Sequence, residues 1–388
     1  MNTKSFTRQS CVAMDKPSQT DKLKIGFVFD DSLDKPDGVQ QYILSIGGWL
    51  DSQSHDVHYL VGKTTRTDIK NVHSLSRNVN VSFNGNHLSI PMPTSRRMLK
   101  NFLNQQQFDI LHVQMPYSPW LAQRIILAAP KHCHIFATFH IVAYSKFVQL
   151  ATRGLALWTK RTLPRFTEIV SVSSAAQTYA KATYGITTKV LPNVFDYDRF
   201  NSAIPLLPPL SGKLRILFLG RLVERKGCQY LLASVKELCA MGVMNFEVVV
   251  CGKGPLQTEL QAYAIKHDLP VDFRGFVSEE DKPGYYASAD IAVFPSTGGE
   301  SFGIVLIEAM ASGRSAILAA SNSGYASVLA ERPDLLFKPL NTQALTIKLK
   351  QLLTDTDLRQ NNANWGKQYS RQFDVPVVGQ RLIKMYLQ

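Results

Sequence analysis

The sequence predicts an α/β fold of two doubly wound, parallel-sheet domains facing each other across a cleft. Three observations carry this. A chain of 388 residues with 45% hydrophobic and 19% charged side chains is too long for one ordinary core and too apolar to be disordered. Short continuous apolar runs alternate with helix-length segments along most of its length. A proline-rich break, "NSAIPLLPPLSGK" at residues 201–213, cuts that alternation in two. The expected organisation is a flexible leader over 1–22, a first domain over 23–200, the linker 201–213, a second domain over 214–370, and a C-terminal helix over 371–388 drawn as crossing back to the first domain.

In chain order, the leader lacks the apolar core of a signal peptide, and no run of ~18 apolar residues marks a spanning helix. "LKIGFVF" (Leu23–Phe29) reads as a buried strand; a polar loop, Gly38 and the helical run "VQQYILSIGGWL" follow it, a Rossmann-like opening. Further strands are expected at "FDILHV" (Phe108–Val113), "HIFATF" (His134–Phe139) and "EIVSVS" (Glu168–Ser173), paired in parallel because helix-length segments separate them. Beyond the linker, "LRILFLG" (Leu214–Gly220), "FEVVVCG" (Phe246–Gly252), "VDFRG" (Val271–Gly275), "IAVFP" (Ile291–Pro295) and "SAILAA" (Ser315–Ala320) repeat the pattern. The last ~45 residues read as helical.

Composition narrows the chemistry. The 43 basic and 30 acidic side chains give a net charge of +13, and ten of those charges fall within residues 1–210. Between Asp109 and Glu168 there is no acidic residue, while Arg124, Lys131, Lys146, Arg153, Lys160, Arg161 and Arg165 fall inside, so an anionic surface is the expected partner. No nucleic-acid-binding motif accompanies these charges, and nucleic acid is not expected. Five cysteines scattered without a C-x-x-C pair argue against a disulfide framework or a thiolate zinc site and fit a reducing compartment. Neighbouring ligands in "KHCH" (Lys131–His134) would point to opposite faces of a strand. "DYD" (Asp196–Asp198) has the spacing of a metal-binding D-x-D, but it opens the linker, away from the phosphate loops; no metal is expected.

The candidate site lies in the second domain. "GRLVERKG" places Arg221 and Lys226 at the carboxyl end of a strand, and "FPSTGGESFGIVLIEAM" (294–310) ends another strand and opens a helix after Gly303. Two cations and a helix N-terminus suit a diphosphate. Glu300 and Glu308 would repel phosphate and suit hydroxyls instead: Glu308, about one turn into the helix and leaning back, a ribose; Glu300 a transferred sugar. The plainer readings are a glutamate that complements the helix dipole and cations that are solvated loop charges.

Taken together, "GRLVERKG" and "GGESFGIVLIEAMASG" resemble the paired signature of the retaining nucleotide-sugar glycosyltransferases of family 4, with the two-domain GT-B fold. The resemblance covers nearly the whole chain after residue 22, including "ATFH" (Ala137–His140), "SVSS" (Ser171–Ser174) and "LPNVFD" (Leu191–Asp196). Within the family the sequence is most similar to phosphatidylinositol mannosyltransferases of the PimA type. It implies that Arg221 and Lys226 hold the donor diphosphate, Glu308 the ribose, and Glu300 with the Phe302–Gly303 backbone the donor sugar, while His140 faces the transferred sugar. Gly38 matches the second glycine of a donor-side loop whose first glycine is replaced by Asp37; Asp tolerates a left-handed backbone, so the turn is expected to survive.

The activity implied is metal-independent, retaining transfer of a hexose, mannose from GDP-mannose, to a phosphatidylinositol-like lipid, with no cofactor beyond the nucleotide sugar. Two alternatives stand beside it: transfer from a UDP-sugar to another lipid or glycan, and a non-catalytic sugar- or lipid-binding relative. The expected location is cytoplasmic, peripheral at the inner face of the plasma membrane. Residues 144–165 can be drawn as an interfacial helix, with Lys146, Arg153 and Lys160 on one face and Tyr144, Phe147, Val148, Ala151, Leu155 and Trp158 on the other. An ordinary packed helix with a solvated charged face fits the same pattern. Arg96, Arg97 and Lys100 form a second basic patch suited to an acceptor headgroup phosphate.

Overall fold

A strand that is apolar at every position is stable only where both of its faces are covered, and this requirement organises each half of the chain. The computed structural model describes residues 22–34, 37–83, 86–142, 154, 156 and 159–388. Its first half contains β1 (Lys24–Phe29), α1 (Gly38–Ser52), β2 (Asp56–Val61), β3 (Val72–Ser74), β4 (Asn78–Phe83), β5 (Asn86–Pro91), α2 (Arg96–Gln106), β6 (Ile110–Gln114), α3 (Leu121–Ala128), β7 (His134–Phe139), β8 (Glu168–Ser171), α4 (Ser174–Tyr184), β9 (Lys189–Val190) and α5 (Tyr197–Asn201). Seven of these strands form one parallel sheet in the order β3-β2-β1-β6-β7-β8-β9.

The second half contains β10 (Leu214–Leu219), α6 (Cys228–Ala240), β11 (Phe246–Cys251), α7 (Gln257–Lys266), β12 (Val271–Gly275), α8 (Lys282–Ala287), β13 (Ile291–Phe294), α9 (Ile304–Ala311), β14 (Ala316–Ala320), α10 (Ser323–Val328), β15 (Leu336–Phe337), α11 (Thr342–Thr354), α12 (Thr356–Ser370) and α13 (Val375–Tyr386). Its six strands form a second parallel sheet, β12-β11-β10-β13-β14-β15. Each sheet reverses its winding once, between β1 and β6 and between β10 and β13, and a crevice for a ligand opens at the carboxyl ends of the strands at such a switch point.

The expected strands all form, with ends shifted by a residue or two. The structure adds elements the sequence reading passed over. The β4–β5 hairpin is antiparallel, with Asn78 opposite Pro91, and stands apart from the parallel sheet. Its signal was present, because two alternating runs flank Asn84–Gly85, a hairpin-turn pair. The interfacial helix drawn over 144–165, with Lys146 and Arg153, falls mostly outside the described residues. At its end a 3-10 turn spans Leu163–Arg165, where Pro164 lacks an N–H for an α-helix to use, and Lys160 is exposed.

The chain crosses between the sheets twice at one place. After the first sheet, Phe195 pairs with Asp374 of the returning chain: Val375 N donates to Phe195 O at 3.1 Å and Tyr197 N to the Asp374 carboxylate at 3.1 Å. From there α13 lies on the first sheet's helices, burying Val378, Leu382 and Tyr386 with Ile43, Ile46 and Leu50 of α1. Gly379 is the point of closest approach, since an added Cβ would overlap the Trp49 ring. Gly379→Val is therefore expected to cost ~1–3 kcal/mol through overpacking, measured by urea denaturation; an unchanged midpoint would show that α13 is not seated against α1.

Candidate active site

Two loops at the β10/β13 switch point build one charged cluster. The chain leaves β10 through Arg221 and forms a 3-10 turn, Glu224–Lys226, that ends at Gly227 with φ +77°. A side chain at Gly227 would meet Pro295 O, so only glycine lets the loop leaving β13 lie on this turn. The main chains are joined there, Thr297 N donating to Arg225 O at 2.8 Å. The result is that Glu300 Oε1 accepts from Arg225 Nη1 at 2.6 Å, Lys226 Nζ at 2.8 Å and Ser296 Oγ at 2.8 Å. Burial pushes the Glu300 carboxyl up, but the charges of Lys226 and Arg225 outweigh it and bring it down to about 2.

From this cluster the chain turns through Gly303, at φ +109°, into α9. Only glycine fits, because a Cβ would lie 2.5 Å from the Tyr325 ring. No side chain caps α9, whose N-terminus follows the loop that carries Glu300. One turn on, Glu308 is 2% exposed; Lys282 Nζ of α8 donates to its Oε1 at 3.1 Å, and Oε2 is buried with no partner. Burial raises the Glu308 carboxyl above its ordinary value, with Lys282 opposing. Lys282 also pairs with Glu279 at 2.7 Å. Glu308 thus lines a cavity while one of its carboxylate oxygens is left without a donor.

That cavity, of about 550 Å³, lies between the two sheets' helices and is lined by Gln40 and Asp196 from one side and Phe276, Glu279, Glu280 and Glu308 from the other. Asp196 lines this cavity, and its carboxylate accepts from Arg199 N at 3.0 Å and caps α5. Among the described residues no three His, Cys, Asp or Glu side chains converge as a metal site. Serines join the halves beside the Glu300 loop: Ser173 Oγ donates to Ser301 O, and Ser174 Oγ lies 2.7 Å from Ser327 Oγ.

On the first sheet, His140 follows β7 and is 6% exposed, its Nε2 2.7 Å from Gln114 Oε1. Burial lowers its pKa to about 3, so the ring is neutral near pH 7. At α1 the expectation for Asp37 is corrected. Its φ is −98°, not left-handed, and its carboxylate accepts from Val39 N at 3.0 Å and Gln40 N at 3.2 Å, while Gln40 Oε1 accepts from Asp37 N at 2.9 Å. This capping box occupies the first N–H groups of α1, and Gly38 beside it is exposed.

The structure therefore brings Lys226, Glu300 and the Phe302–Gly303 turn together, with Glu308 a turn further along α9. Arg221 is exposed just past the end of β10, and Arg225 pairs with Glu300. Sequence reading passed over Arg225, although it adjoins Lys226, and it had no signal for Lys282, which belongs to a different helix from its partner. Because the folded Glu300 pKa of about 2 lies below the ordinary 4.5, its ionised form stabilises fully above about pH 4.5, and that contribution disappears as pH falls toward 2. Glu300→Gln should lower stability near pH 7 by on the order of 3 kcal/mol, with the gap to wild type closing as pH falls from about 4.5 to about 2 in denaturant titrations. A gap independent of pH would contradict the ion-pair account.

Known proteins with this chemistry match along the chain. The description "Glycosyltransferase Family 4" fits residues 36–199 and "Glycosyl transferases group 1" residues 207–369. The chain is 30% identical over 371 residues to the phosphatidyl-myo-inositol mannosyltransferase of Mycolicibacterium smegmatis, covering 94% of this chain and 93% of that one. It is 30% identical over 384 residues to the enzyme of the same name from Propionibacterium freudenreichii, with 94% of each covered. The solved glycosyltransferase of Rickettsia africae superposes with a TM-score of 0.74 at 18% identity, covering 95% of this chain and 98% of that one. The chain belongs to the family 4 glycosyltransferases and has their GT-B fold, with the Arg225–Lys226–Glu300 cluster at the switch point of the second sheet.

Proposed function

We propose that the chain moves a hexose with retention of configuration, mannose from GDP-mannose, to a phosphatidylinositol-like lipid at the cytoplasmic face of the plasma membrane. The observation that carries this reading is Glu308, a cavity-lining residue with one unpartnered carboxylate oxygen, with the Arg225–Lys226–Glu300 cluster at the N-terminal end of the same helix. A nucleotide sugar has groups to match: ribose hydroxyls for Glu308, a diphosphate for Lys226, Arg221, Arg225 and the α9 N-terminus, and sugar hydroxyls for Glu300 and the Phe302–Gly303 backbone. Gly38 and the start of α1 would close on the donor from the first domain.

The cavity wall favours guanine. Phe276 is 68% exposed there, beside Glu279 and Glu280. Guanine presents adjacent N1–H and N2–H donors that a carboxylate can accept together, whereas uracil flanks its single N3–H with two carbonyls that a carboxylate repels. His140 would face the sugar as a neutral ring. In the reaction the acceptor hydroxyl oxygen bonds to the sugar C1 from the face that the diphosphate leaves, and the departing phosphate oxygen takes the hydroxyl proton. Lys226 and the α9 N-terminus stabilise the charge that develops on that phosphate.

The lipid acceptor is supported by the two mannosyltransferase relatives and by the surface of α2. Arg96, Arg97 and Lys100 are exposed there, beside exposed Met92, Met98 and Leu127, a basic and apolar combination suited to an anionic membrane surface. Lys146, Arg153 and Lys160 would extend this surface. No helix among the described residues is long and apolar enough to cross a membrane. The test is transfer of labelled sugar into the organic-extractable fraction with phosphatidylinositol vesicles, offering GDP-mannose, UDP-glucose and UDP-N-acetylglucosamine in parallel. Label from GDP-mannose alone, dependent on phosphatidylinositol and reduced at least ~100-fold by Lys226→Ala, is expected. Label from a UDP-sugar, or only in water-soluble product, would overturn the mannolipid reading, and near-wild-type Lys226→Ala would overturn the phosphate role.

A further inference from the structure

One face of the first sheet carries polar side chains where apolar ones would be expected. His112 and Gln114 of β6 lie on it, and the register that pairs Gln114 with Thr138 places Thr138, and His140 beyond it, on the same face. Helices α1 and α13 cover it. His112, Gln114 and Thr138 are fully buried, and each is hydrogen-bonded. His112 Nδ1 lies 2.6 Å from the Tyr386 hydroxyl and His112 Nε2 lies 2.7 Å from Thr138 Oγ1. Alongside, the Gln114 amide joins His140 Nε2 at 2.7 Å to the His112 carbonyl at 3.5 Å. Tyr42 of α1 packs its ring edge-on to His140 at 5.3 Å, and its buried hydroxyl has no hydrogen-bond partner.

Buried polar groups on this scale destabilise unless every partner is present, so an apolar face would be the simpler packing solution. The arrangement does what an apolar face could not. With Gln114 Nε2 directed to a carbonyl, Gln114 Oε1 faces His140 and accepts from its Nε2–H. The neutral ring then carries its lone pair on Nδ1, ready to accept from a sugar hydroxyl. The His112 side chain in turn reaches Tyr386, on a helix that returns from the second domain 274 residues away in sequence, and the two groups meet at the His112 main chain, whose carbonyl accepts from Gln114 Nε2.

We propose that Tyr386, His112 and Thr138 are positioning residues that fix the orientation and tautomer of His140, so that seating of the C-terminal helix on the first sheet sets the sugar-facing histidine. The proposal rests on the reading of His140 as the group that meets the transferred sugar. It explains why α13 carries a tyrosine hydroxyl into a buried sheet face, and it ties the geometry of the first domain's site to the point where the chain crosses back from the second. Burial holds His112 and His140 near pKa 3, and each ring's partners are the groups named here and Phe27 of β1, which stacks on His112 at 5.4 Å. Both rings thus act as neutral hydrogen-bonding groups, not as charges.

The test combines kinetics with spectroscopy of Tyr386→Phe, whose ring keeps the packing and loses the hydroxyl. With the donor that the wild type turns over, kcat is expected to fall roughly tenfold with the donor KM within about twofold, and the same change in a His140→Ala background to have no further effect. In 15N-histidine-labelled protein, which needs no donor, the His140 ring signals should move from one neutral tautomer toward a mixture. An unchanged kcat with unchanged His140 signals would overturn the proposal, as would an equal further loss in the His140→Ala background, the mark of a merely structural role. If His140→Ala alone kept wild-type turnover, the sugar-facing reading would fall, and the ring signals would still decide the positioning claim. Should Tyr386→Phe fold poorly, Thr138→Val carries the same expectations.

Discussion

A single carboxylate oxygen, Glu300 Oε1, draws two cations, Arg225 and Lys226, to one point. Two positive side chains converging beside a helix N-terminus would otherwise repel each other and the helix dipole. Glu300 removes that conflict, and in doing so fixes the distance between the loop leaving β10 and the loop leaving β13. On the proposed function, a diphosphate would take over these cations and leave the carboxylate to accept from sugar hydroxyls.

The rest of the site follows from how backbone reaches this point. Gly227 admits Pro295, Gly303 admits Tyr325, and an added Cβ on Gly324 would strike the Glu300 carbonyl, so the loop carrying Glu300 is held between close-packed backbone segments. On the other side of the cleft, the double crossing at Phe195 and Asp374 and the serines around Ser301 set how the first sheet faces it. Apolar packing runs beside these hydrogen bonds, with Phe200 against Tyr286 at 6.1 Å.

Much of this was legible in the sequence, for physical reasons. Strands buried on both faces must be continuously apolar, which is why β1, β7, β10 and β13 could be read directly. β9 and β15, at two residues each, are too short to carry any periodicity. At the site, Lys226, Glu300 and Glu308 stood out because charge beside glycine at a strand-to-helix turn has few structural uses. Arg225 and Lys282 did not, since their roles depend on which loop or helix packs opposite. Asp37 shows the reverse error: a carboxylate before a helix was read as a strained substitute for glycine, when the simpler answer was an N-cap.

The central claim is that the Glu300 cluster is a donor site in its unliganded form. The most direct measurement is a crystal structure with intact GDP-mannose bound. The expected result places the diphosphate at Lys226 and the α9 N-terminus, a ribose hydroxyl at Glu308 Oε2, and the Glu300 carboxylate on the sugar, with the Lys226–Glu300 pair opened. A nucleotide bound elsewhere, or at this position with both cations still on Glu300, would contradict it.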